Sequence, residues 1–329
     1  AKRLMEMKIE RVNIPLHTPF VITGYTFTEL QAVWVTLFDG RVSGRGEGVG
    51  IYYLGESQDS MVAELEAIKQ KVEAGATRQE INDLMPRGGA RNALDCAFWD
   101  LECKQTAKTI WELIGISPKP LFTVATIGIG SLEQMSNRAT ELASFQNIKI
   151  KVNGDAPVEA VAAVRAARPD ATLVVDANQG WSLSQLKDFT PKMEALGVKM
   201  IEQPLVRGLD HELTNFESIV PLGADESVLD LAEYQENSHN YQVVNIKLDK
   251  CGGLTEALQI VAAAKQDGKT IMVGNMTGTS LSMAPAFVIG QSCGFVDIDG
   301  PLLLGSDIEN GLEYLDGGKV MPPSSLLWG

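Results

Sequence analysis

The sequence predicts an α/β protein built around a parallel barrel of strands and helices. From residue 121 onward, short apolar runs typical of buried strands alternate with amphipathic helical segments. Eight strand candidates recur at intervals of roughly 20–30 residues, which fits a TIM-type (β/α) barrel better than a doubly wound sheet. No GxGxxG motif follows the first candidate, so a dinucleotide-binding fold has no support. A chain of 329 residues accommodates a barrel of roughly 250 residues and a second domain.

The barrel is predicted over residues 119–300. Its strand candidates are Phe122–Ile127, Ile148–Val152, Thr172–Asp176, Lys199–Glu202, Pro221–Ala224, Gln242–Lys247, Thr270–Val273 and Gly294–Ile298. The helical segments between them include Pro157–Arg168, Ser182–Leu196 and Leu254–Gln266.

Residues 1–118 are predicted to form an α+β domain, because strand candidates come first and helices follow. The strands are Met5–Ile14 and Gln31–Phe38, with a hairpin turn at Asp39-Gly40, and the helices span 57–74, 77–84 and 90–104. The glycine-rich stretch 44–55 predicts a loop, and its aromatic residues make it a candidate lid. We expect the tail after Pro301 to pack against this domain.

Composition excludes several classes of function. The net charge of −14 argues against a nucleic-acid partner. No apolar run approaches the ~20 residues of a membrane helix, and the N-terminus shows no signal-peptide pattern. The four cysteines have no CxxC spacing, which predicts reduced thiols in a cytoplasmic protein. With three histidines, a histidine-rich metal cluster is excluded and a Ser-His-acid triad is disfavoured.

Three acidic residues, Asp176, Glu202 and Asp225, fall at the ends of successive strand candidates. Barrel enzymes carry their chemistry at the carboxyl ends of the strands, so these carboxylates are expected to meet at one rim. Their mutual repulsion calls for a cation among them, and an all-oxygen ligand set favours Mg²⁺. The alternative is that each acid forms a structural salt bridge with a nearby lysine or arginine.

Two lysines, Lys149 and Lys151, lie on the strand before this triplet, and Lys247 lies on the strand after it. Alternation places Lys149 and Lys151 on one side of their strand. A solvated edge strand would also explain the pair. In a barrel, however, Lys151 and Lys247 face each other across the metal, which suits removal of a proton from one face of a carbon and its return to the other. Lys149 then disfavours the ammonium form of Lys151 and contacts a substrate carboxylate.

Asp297 and Asp299 form a second acidic pair on the last strand candidate. Alternation places both side chains on the same side of that strand. Solvated surface acids are one interpretation. At the rim that carries the metal, the pair instead predicts a site for a cationic substrate group such as a free α-ammonium.

The combined motifs Lys149-x-Lys151, Asp176-Ala-Asn178, Glu202-Gln-Pro204, Asp225-Glu-Ser227 and Lys247-x-Asp249-Lys-x-Gly-Gly253 resemble the muconate-lactonizing subgroup of the enolase superfamily. That superfamily uses a lysine or histidine base with bound Mg²⁺. The resemblance spans nearly the whole chain. It implies a modified barrel of (β/α)7β type and a capping domain formed by residues 1–118 and completed by about 301–329.

Within the subgroup, Asp297-x-Asp299, His17-Thr-Pro-Phe-Val-Ile and Arg91-Asn-Ala-Leu-Asp95 resemble dipeptide epimerases. The resemblance implies inversion of the α-carbon of the C-terminal residue of an L-Xaa-Xaa dipeptide through a metal-stabilised enolate. Lys151 and Lys247 would alternate as base and acid, with one Mg²⁺ on Asp176, Glu202 and Asp225. It also implies substrate contacts from Asp297, Asp299, Thr126, Tyr25 and Ile51, and supporting contacts from Asn178, Glu226 and Asp249.

One departure from the subgroup concerns the substrate side chain. Members specific for Ala-Glu carry an arginine on the first capping loop, whereas Thr23-Gly-Tyr-Thr-Phe27 offers no cation here. Tyr25, Phe27, Ile51 and Tyr52 favour an apolar side chain instead, unless Arg45 supplies a charge from the other loop.

The sequence is also compatible with three other functions. They are a racemase of N-acylated amino acids, a lactonizing or dehydrating enzyme of the subgroup, and a binding barrel without catalysis. The expected partner is a small dipeptide, and assembly with further copies of the chain is left open.

Overall fold

The computed structural model describes residues 4–329, and the chain begins with a three-stranded antiparallel sheet in the order β1-β2-β3. The strands are β1 (Glu6–Ile22), β2 (Tyr25–Phe38) and β3 (Ser43–Val49). β1 and β2 continue well beyond their expected limits as one long hairpin, which turns at Thr23-Gly24. The predicted turn after Asp39 is confirmed, since its backbone N–H donates to the Val42 carbonyl.

Four helices follow this sheet: α1 (Gln58–Glu73), α2 (Arg78–Leu84), α3 (Gly89–Thr106) and α4 (Ile110–Ile114). Of these, α1 and α3 pack on the sheet. Reciprocal capping boxes fix the starts of α1, α2 and α4, at Ser57, Thr77 and Thr109. Alternate residues of β2, including Val33, Val35 and Leu37, pack with α1 and α3 in a core of their own. The predicted α+β organisation of this region is confirmed.

The loop predicted over 44–55 is partly wrong, because Ser43–Val49 forms β3 and pairs along its whole length with β2. Its alternate glycines face α3. A Cβ atom on Gly44, Gly46 or Gly48 would lie between 2.0 and 2.2 Å from backbone atoms of that helix. Glycine here permits close packing of a helix on a strand, a contact between distant segments that a local sequence pattern does not contain. The irregular part of the stretch is a single 3₁₀ turn, Tyr52–Leu54.

The second half of the chain forms an eight-stranded parallel barrel in sequence order. Its strands are β5 (Val124–Ile127), β6 (Asn147–Lys151), β7 (Thr172–Asp176), β8 (Val198–Glu202), β9 (Leu222–Ala224), β10 (Val243–Ile246), β11 (Thr270–Val273) and β12 (Phe295–Val296). Its helices are α5 (Leu132–Glu141), α6 (Pro157–Ala167), α7 (Leu183–Ala195), α8 (Leu231–Asn237), α9 (Leu248–Cys251), α10 (Leu254–Gln266), α11 (Ser280–Gly290) and α12 (Gly300–Leu303). Between β8 and β9 the described chain forms a 3₁₀ turn, Asp210–Leu213.

Hydrogen bonds through side chains join the first and last barrel strands. The Ile298 N–H donates to Thr123 Oγ1, and the Thr126 N–H donates to Asp299 Oδ2. One apolar layer, formed by Val124, Val174, Met200, Val243 and Met272, fills the barrel interior. Two residues further along β7 and β8 stand Asp176 and Glu202, so strand alternation places both acids in the interior above this layer.

Two strand candidates of the barrel need correction. Phe122–Ile127 is two strands, because β4 (Leu121–Phe122) pairs with β14 (Lys319–Val320), which also pairs with β13 (Tyr314–Leu315). The candidate Gly294–Ile298 shrinks to β12, so Asp297 and Asp299 follow the strand rather than alternate along it. Gly300-Pro301 then opens helix α12 directly after Asp299.

The C-terminal tail contacts the N-terminal helices and sheet. Trp328 Nε1 donates to the Cys96 carbonyl, and the Gly329 N–H donates to Asp100 Oδ1. Arg45 donates to the carbonyls of Leu326 and Leu327.

The division of the chain into domains at residues 1–118, 119–300 and 301–329 remains a prediction. Within residues 4–329, the longest apolar helical stretches fall short of what a bilayer crossing requires.

We expect the substitution Gly46→Ala to destabilise the protein by about 3 kcal/mol, because the added methyl group collides with the Ala93 carbonyl in α3. Equilibrium urea unfolding measures this loss. Ser43→Ala, on an exposed position of the same strand, is the matched control and should change the free energy of unfolding very little. Equal stabilities of the two variants would contradict the close packing of β3 on α3.

Candidate active site

The five predicted catalytic and metal-binding positions meet at one end of the barrel. Lys151, Asp176 and Glu202 are the last residues of β6, β7 and β8, and Asp225 and Lys247 immediately follow β9 and β10. All five side chains are buried. Their positions agree with the prediction that the ends of successive strands bring these groups together.

Asp176, Glu202 and Asp225 each place a carboxylate oxygen within 4.8 Å of the others. Two of their oxygens, Glu202 Oε1 and Asp225 Oδ1, are buried and accept no hydrogen bond from the described residues. Oxygen ligands alone, all of them from buried carboxylates, suit a hard cation such as Mg²⁺. The residues present therefore fit a magnesium ion.

Lysines contact the same carboxylates. Lys151 Nζ lies 2.7 Å from Asp176 Oδ2, Lys149 Nζ lies 3.2 Å from Glu202 Oε1, and Lys247 Nζ lies 2.8 Å from Asp225 Oδ2. The salt bridges that formed the alternative interpretation of the acids are therefore present. They do not exclude a cation site, because one carboxylate oxygen of each acid still lies within 4.8 Å of the others.

The charges of the cluster shift the pKa values of its three acids in different directions. Burial favours protonation throughout, but Lys151 and Lys149 hold the pKa of Asp176 below its ordinary value. Lys247 and Lys250 likewise outweigh burial and hold the pKa of Asp225 well below its usual range. Glu202 differs, since burial and the neighbouring Asp176 raise its pKa to about 8.

Lys149 lies inside the barrel on β6, which pairs with β5 and β7, so the edge-strand interpretation is wrong. Its neighbours Ile148 and Ile150 pack on the other side with the helices, as alternation predicts. Lys149 Nζ donates to Asp297 Oδ2 over 2.9 Å and also contacts Asp176 and Glu202. Burial opposes its charge, but these carboxylates raise the pKa of Lys149 well above its ordinary value. Its proposed influence on Lys151 stays a prediction.

Asp297 and Asp299 are both buried beside Lys149. Despite burial, Lys149 keeps the pKa of Asp297 below its ordinary value. Burial and the adjacent Asp297 raise the pKa of Asp299 to about 8. Thr126 takes part through its backbone, whose N–H donates to Asp299 Oδ2 over 2.9 Å.

Of the three residues expected to support the site, Asn178 and Glu226 lie at the cavity and Asp249 does not. Asn178 accepts a hydrogen bond from Lys151 Nζ over 3.0 Å, and its amide lies 3.4 Å from Glu226 Oε2. Both residues line the catalytic cavity. Asp249 lies elsewhere, at the boundary with the N-terminal sheet, where it accepts from the Val49 N–H and from Asn92 Nδ2.

Aromatic residues from the N-terminal sheet cover the cavity. Phe20, Phe27, Tyr52 and Tyr53 line it together with Lys151 and Lys247. Tyr25 is 44% exposed and stacks on Phe27 and Tyr52, with ring centroids 4.5 Å apart in each pair. Ile51 is fully buried at the base of the 3₁₀ turn. The cover is apolar, and Arg45 points to the tail instead of the cavity.

Sequence reasoning missed three polar groups of the site. Asn245 Nδ2 donates to Glu202 Oε2 over 3.2 Å, and its position two residues before Lys247 was a usable signal, because both face the interior. Gln203 Oε1 accepts from the backbone N–H groups of Asp225 and Ser227. Lys250 contacts Asp225 from a one-turn helix, and no strand periodicity points to it.

Comparison with known proteins gives the chain its relatives. Residues 4–115 match the N-terminal domain model of the mandelate racemase/muconate lactonizing enzyme family. Residues 132–323 match the enolase C-terminal domain-like model.

Individual relatives are similar over nearly the whole chain. An L-Ala-D/L-Glu epimerase from Escherichia coli K12 is 39% identical over 92% of this chain and 95% of its own length. An N-acetyl-D-glutamate racemase from a Pseudoalteromonas species is 38% identical over 76% of this chain and 79% of its own. A solved enolase family member from Agrobacterium tumefaciens, described as homologous to dipeptide epimerases and binding sodium and L-Ala-L-Glu, is 40% identical with a TM-score of 0.96. That match covers 99% of this chain and 100% of the Agrobacterium chain.

We expect the affinity for Mg²⁺ to fall as the pH drops below about 8. Glu202 then carries a proton that the ion must displace, which costs up to tenfold in affinity per pH unit. Isothermal titration calorimetry between about pH 6 and pH 8 measures the change. Glu202→Gln should bind weakly and lose this pH dependence, whereas a constant affinity of the parent protein over that range would contradict the arrangement.

Proposed function

We propose that this chain, which belongs to the mandelate racemase/muconate lactonizing enzyme family, is a Mg²⁺-dependent dipeptide epimerase. It inverts the α-carbon of the C-terminal residue of an L-Xaa-Xaa dipeptide. The observation that carries the proposal is the placement of Lys151 and Lys247. They stand four strands apart in an eight-stranded barrel, on either side of the acid triplet, and both line one cavity.

Two opposed lysines permit inversion without any change of oxidation state. One lysine, as a neutral amine, takes the α-proton from one face of the carbon and becomes an ammonium group. The other, already an ammonium group, delivers a proton to the opposite face and becomes neutral. Asp176 pairs with Lys151 and Asp225 pairs with Lys247, so each ammonium form has a carboxylate beside it. A bound Mg²⁺ supplies positive charge beside the substrate carboxylate, where negative charge grows as the α-proton leaves.

The acidic pair supports a substrate with a free α-ammonium group. Within residues 4–329, no lysine, arginine or histidine lies within salt-bridge distance of Asp299, although Asp297 already pairs with Lys149. An incoming ammonium group offers Asp299 the compensating charge that it otherwise lacks. This feature favours a dipeptide over an N-acylated amino acid, whose nitrogen carries no charge.

We propose further that the side chain of the epimerised residue is apolar. The cavity cover presents Phe27, Tyr52 and Tyr53. Arg207, a nearby candidate cation, is held by both oxygens of Glu233 at 2.6 Å each. Arg207 is therefore not free to pair with an acidic substrate side chain, and burial of that charge without a cation is costly. The E. coli relative is named for a glutamate-containing substrate, so this preference distinguishes the present chain from it.

A racemase of N-acylated amino acids is the second candidate function. One relative at 38% identity is an N-acetyl-D-glutamate racemase. That reaction uses the same lysines and metal but leaves Asp299 without a role, which is why the dipeptide is favoured.

The setting of the enzyme is also a proposal. The four cysteines are free thiols, which supports a reducing, cytoplasmic location.

We expect the protein to exchange the α-proton of L-Ala-L-Leu or L-Ala-L-Phe for deuterium in D₂O with Mg²⁺, and to do so faster than for L-Ala-L-Glu. Proton NMR follows both exchange and inversion. Lys151→Ala and Lys247→Ala should each abolish epimerisation, because each removes proton transfer on one face.

Exchange with N-acyl amino acids but with none of the dipeptides would favour the racemase instead. Full epimerisation by either lysine variant would exclude the two-base mechanism. A preference for L-Ala-L-Glu would leave the epimerase in place and remove only the apolar side-chain preference.

We expect Asp299→Asn to lower kcat/KM for a free dipeptide by roughly 10- to 100-fold, the loss of a charge-assisted contact of about 1.5–3 kcal/mol. The N-acetylated form of the same dipeptide lacks the ammonium group, so the parent enzyme should discriminate against it and the variant should not. Steady-state kinetics with both compounds measures the ratio. Equal discrimination by parent and variant would show that Asp299 does not bind the ammonium group.

A further inference from the structure

Lys250 is a buried ammonium group that the proton transfer does not use. It lies in α9, three residues after Lys247, and its side chain is 1% exposed. Nζ donates to three backbone carbonyls: Asp225 at 2.8 Å, Val228 at 2.9 Å and Asn245 at 2.8 Å. An ammonium group has three N–H donors, so these bonds use all of them.

The same nitrogen lies 2.8 Å from Asp225 Oδ1. Both the charge of Lys250 and its contact with this carboxylate favour the ionised form of Asp225. The other carboxylate oxygen, Oδ2, contacts Lys247 at 2.8 Å. Asp225 is thus held between two lysines, one at each of its carboxylate oxygens.

The three carbonyls belong to two neighbouring parts of the barrel. Those of Asp225 and Val228 lie in the turn after β9, and that of Asn245 lies in β10, two residues before Lys247. One side chain therefore fixes the backbone of Asp225 against the strand that carries Lys247. Burial of an unpaired ammonium group costs several kcal/mol, so this lysine is stable here only because the carbonyls and the carboxylate compensate it.

We infer that Lys250 is a positioning residue, which holds Asp225 in place as a ligand of the metal. The inference rests on the metal-binding part of the proposed function and is independent of the substrate. Its failure would appear in metal affinity, whereas failure of the epimerase proposal would appear in proton exchange with dipeptides.

A purely structural role would leave metal affinity unchanged, and a matched pair of variants separates the two roles. Lys250→Gln keeps an amide donor for the carbonyls and removes the charge beside Asp225. Lys269→Gln is the control. Its half-buried lysine donates to the carbonyls of Ser238 and Tyr241, at 2.9 and 2.7 Å, on another part of the barrel.

Binding of Mn²⁺ as a probe of the metal site, followed by electron paramagnetic resonance, gives the affinity of each variant. Circular dichroism in the presence of a chelator first establishes folding. We expect Lys250→Gln to bind Mn²⁺ roughly 10- to 100-fold more weakly than the parent, and Lys269→Gln to bind as the parent does. A folded Lys250→Gln protein with parental affinity would overturn the inference.

A second measurement covers the case in which Lys250→Gln does not fold. In a Lys247→Met background, Lys250 is the remaining lysine in contact with Asp225. If Lys250 is paired with that carboxylate, adding Asp225→Asn should lower the Tm of the metal-free protein. If the carbonyls alone hold Lys250, loss of a carboxylate that repels Glu202 and Asp176 should raise the Tm, and that result would overturn the inference.

Discussion

The active site depends on charge compensation at the carboxyl end of the barrel. Four lysines and six carboxyl groups are buried there, and an uncompensated buried charge costs several kcal/mol. The acids closest to an ammonium group stay ionised, and the pKa values of Asp176, Asp225 and Asp297 are lowered by their lysines despite burial. Two of the other acids, Glu202 and Asp299, have raised pKa values instead. Burial raises the pKa of both Glu202 and Asp299 to about 8, with further contributions from neighbouring acids.

Glu202 and Asp299, two acids with raised pKa values, are also the acids proposed to lie beside positively charged ligands. Glu202 belongs to the triplet that converges on a cation site, and Asp299 belongs to the pair proposed to bind an ammonium group. A cation bound beside either carboxyl group would favour its ionised form and so oppose the effect of burial on its pKa. Glu226 is a third acid of this kind, because burial raises its pKa well above the ordinary value.

Much of this site was predictable from the sequence because two periodicities determine it. The twofold repeat of a strand turns Lys149 and Lys151 inward and Ile148 and Ile150 outward, and the βα repeat brings successive strand ends to one rim. The barrel and the α+β organisation of the N-terminal region followed from the same patterns. The features that the sequence did not predict depend on contacts between distant segments. Gly46 is glycine because α3 packs directly on it, and Lys250 contacts Asp225 from a helix in another part of the chain. The early end of β12 at Val296 has no signal in the local sequence pattern.

The N-terminal sheet is fixed to the barrel by buried polar contacts. Glu47 accepts from Trp34 and Thr279, and Asp249 accepts from Val49 and Asn92, so each carboxyl group joins the two parts of the chain. On β3 these bonds involve Glu47 and Val49, in its C-terminal part. Nearer the cavity, the Val21 carbonyl of β1 accepts from the Ile129 N–H of the barrel. At the tip, Thr23 Oγ1 lies 3.0 Å from the carbonyls of both Val152 and Ala177, the residues that follow Lys151 and Asp176. The tip of the β1–β2 hairpin therefore contacts the strand ends that carry Lys151 and Asp176, so the N-terminal sheet meets the catalytic end of the barrel directly.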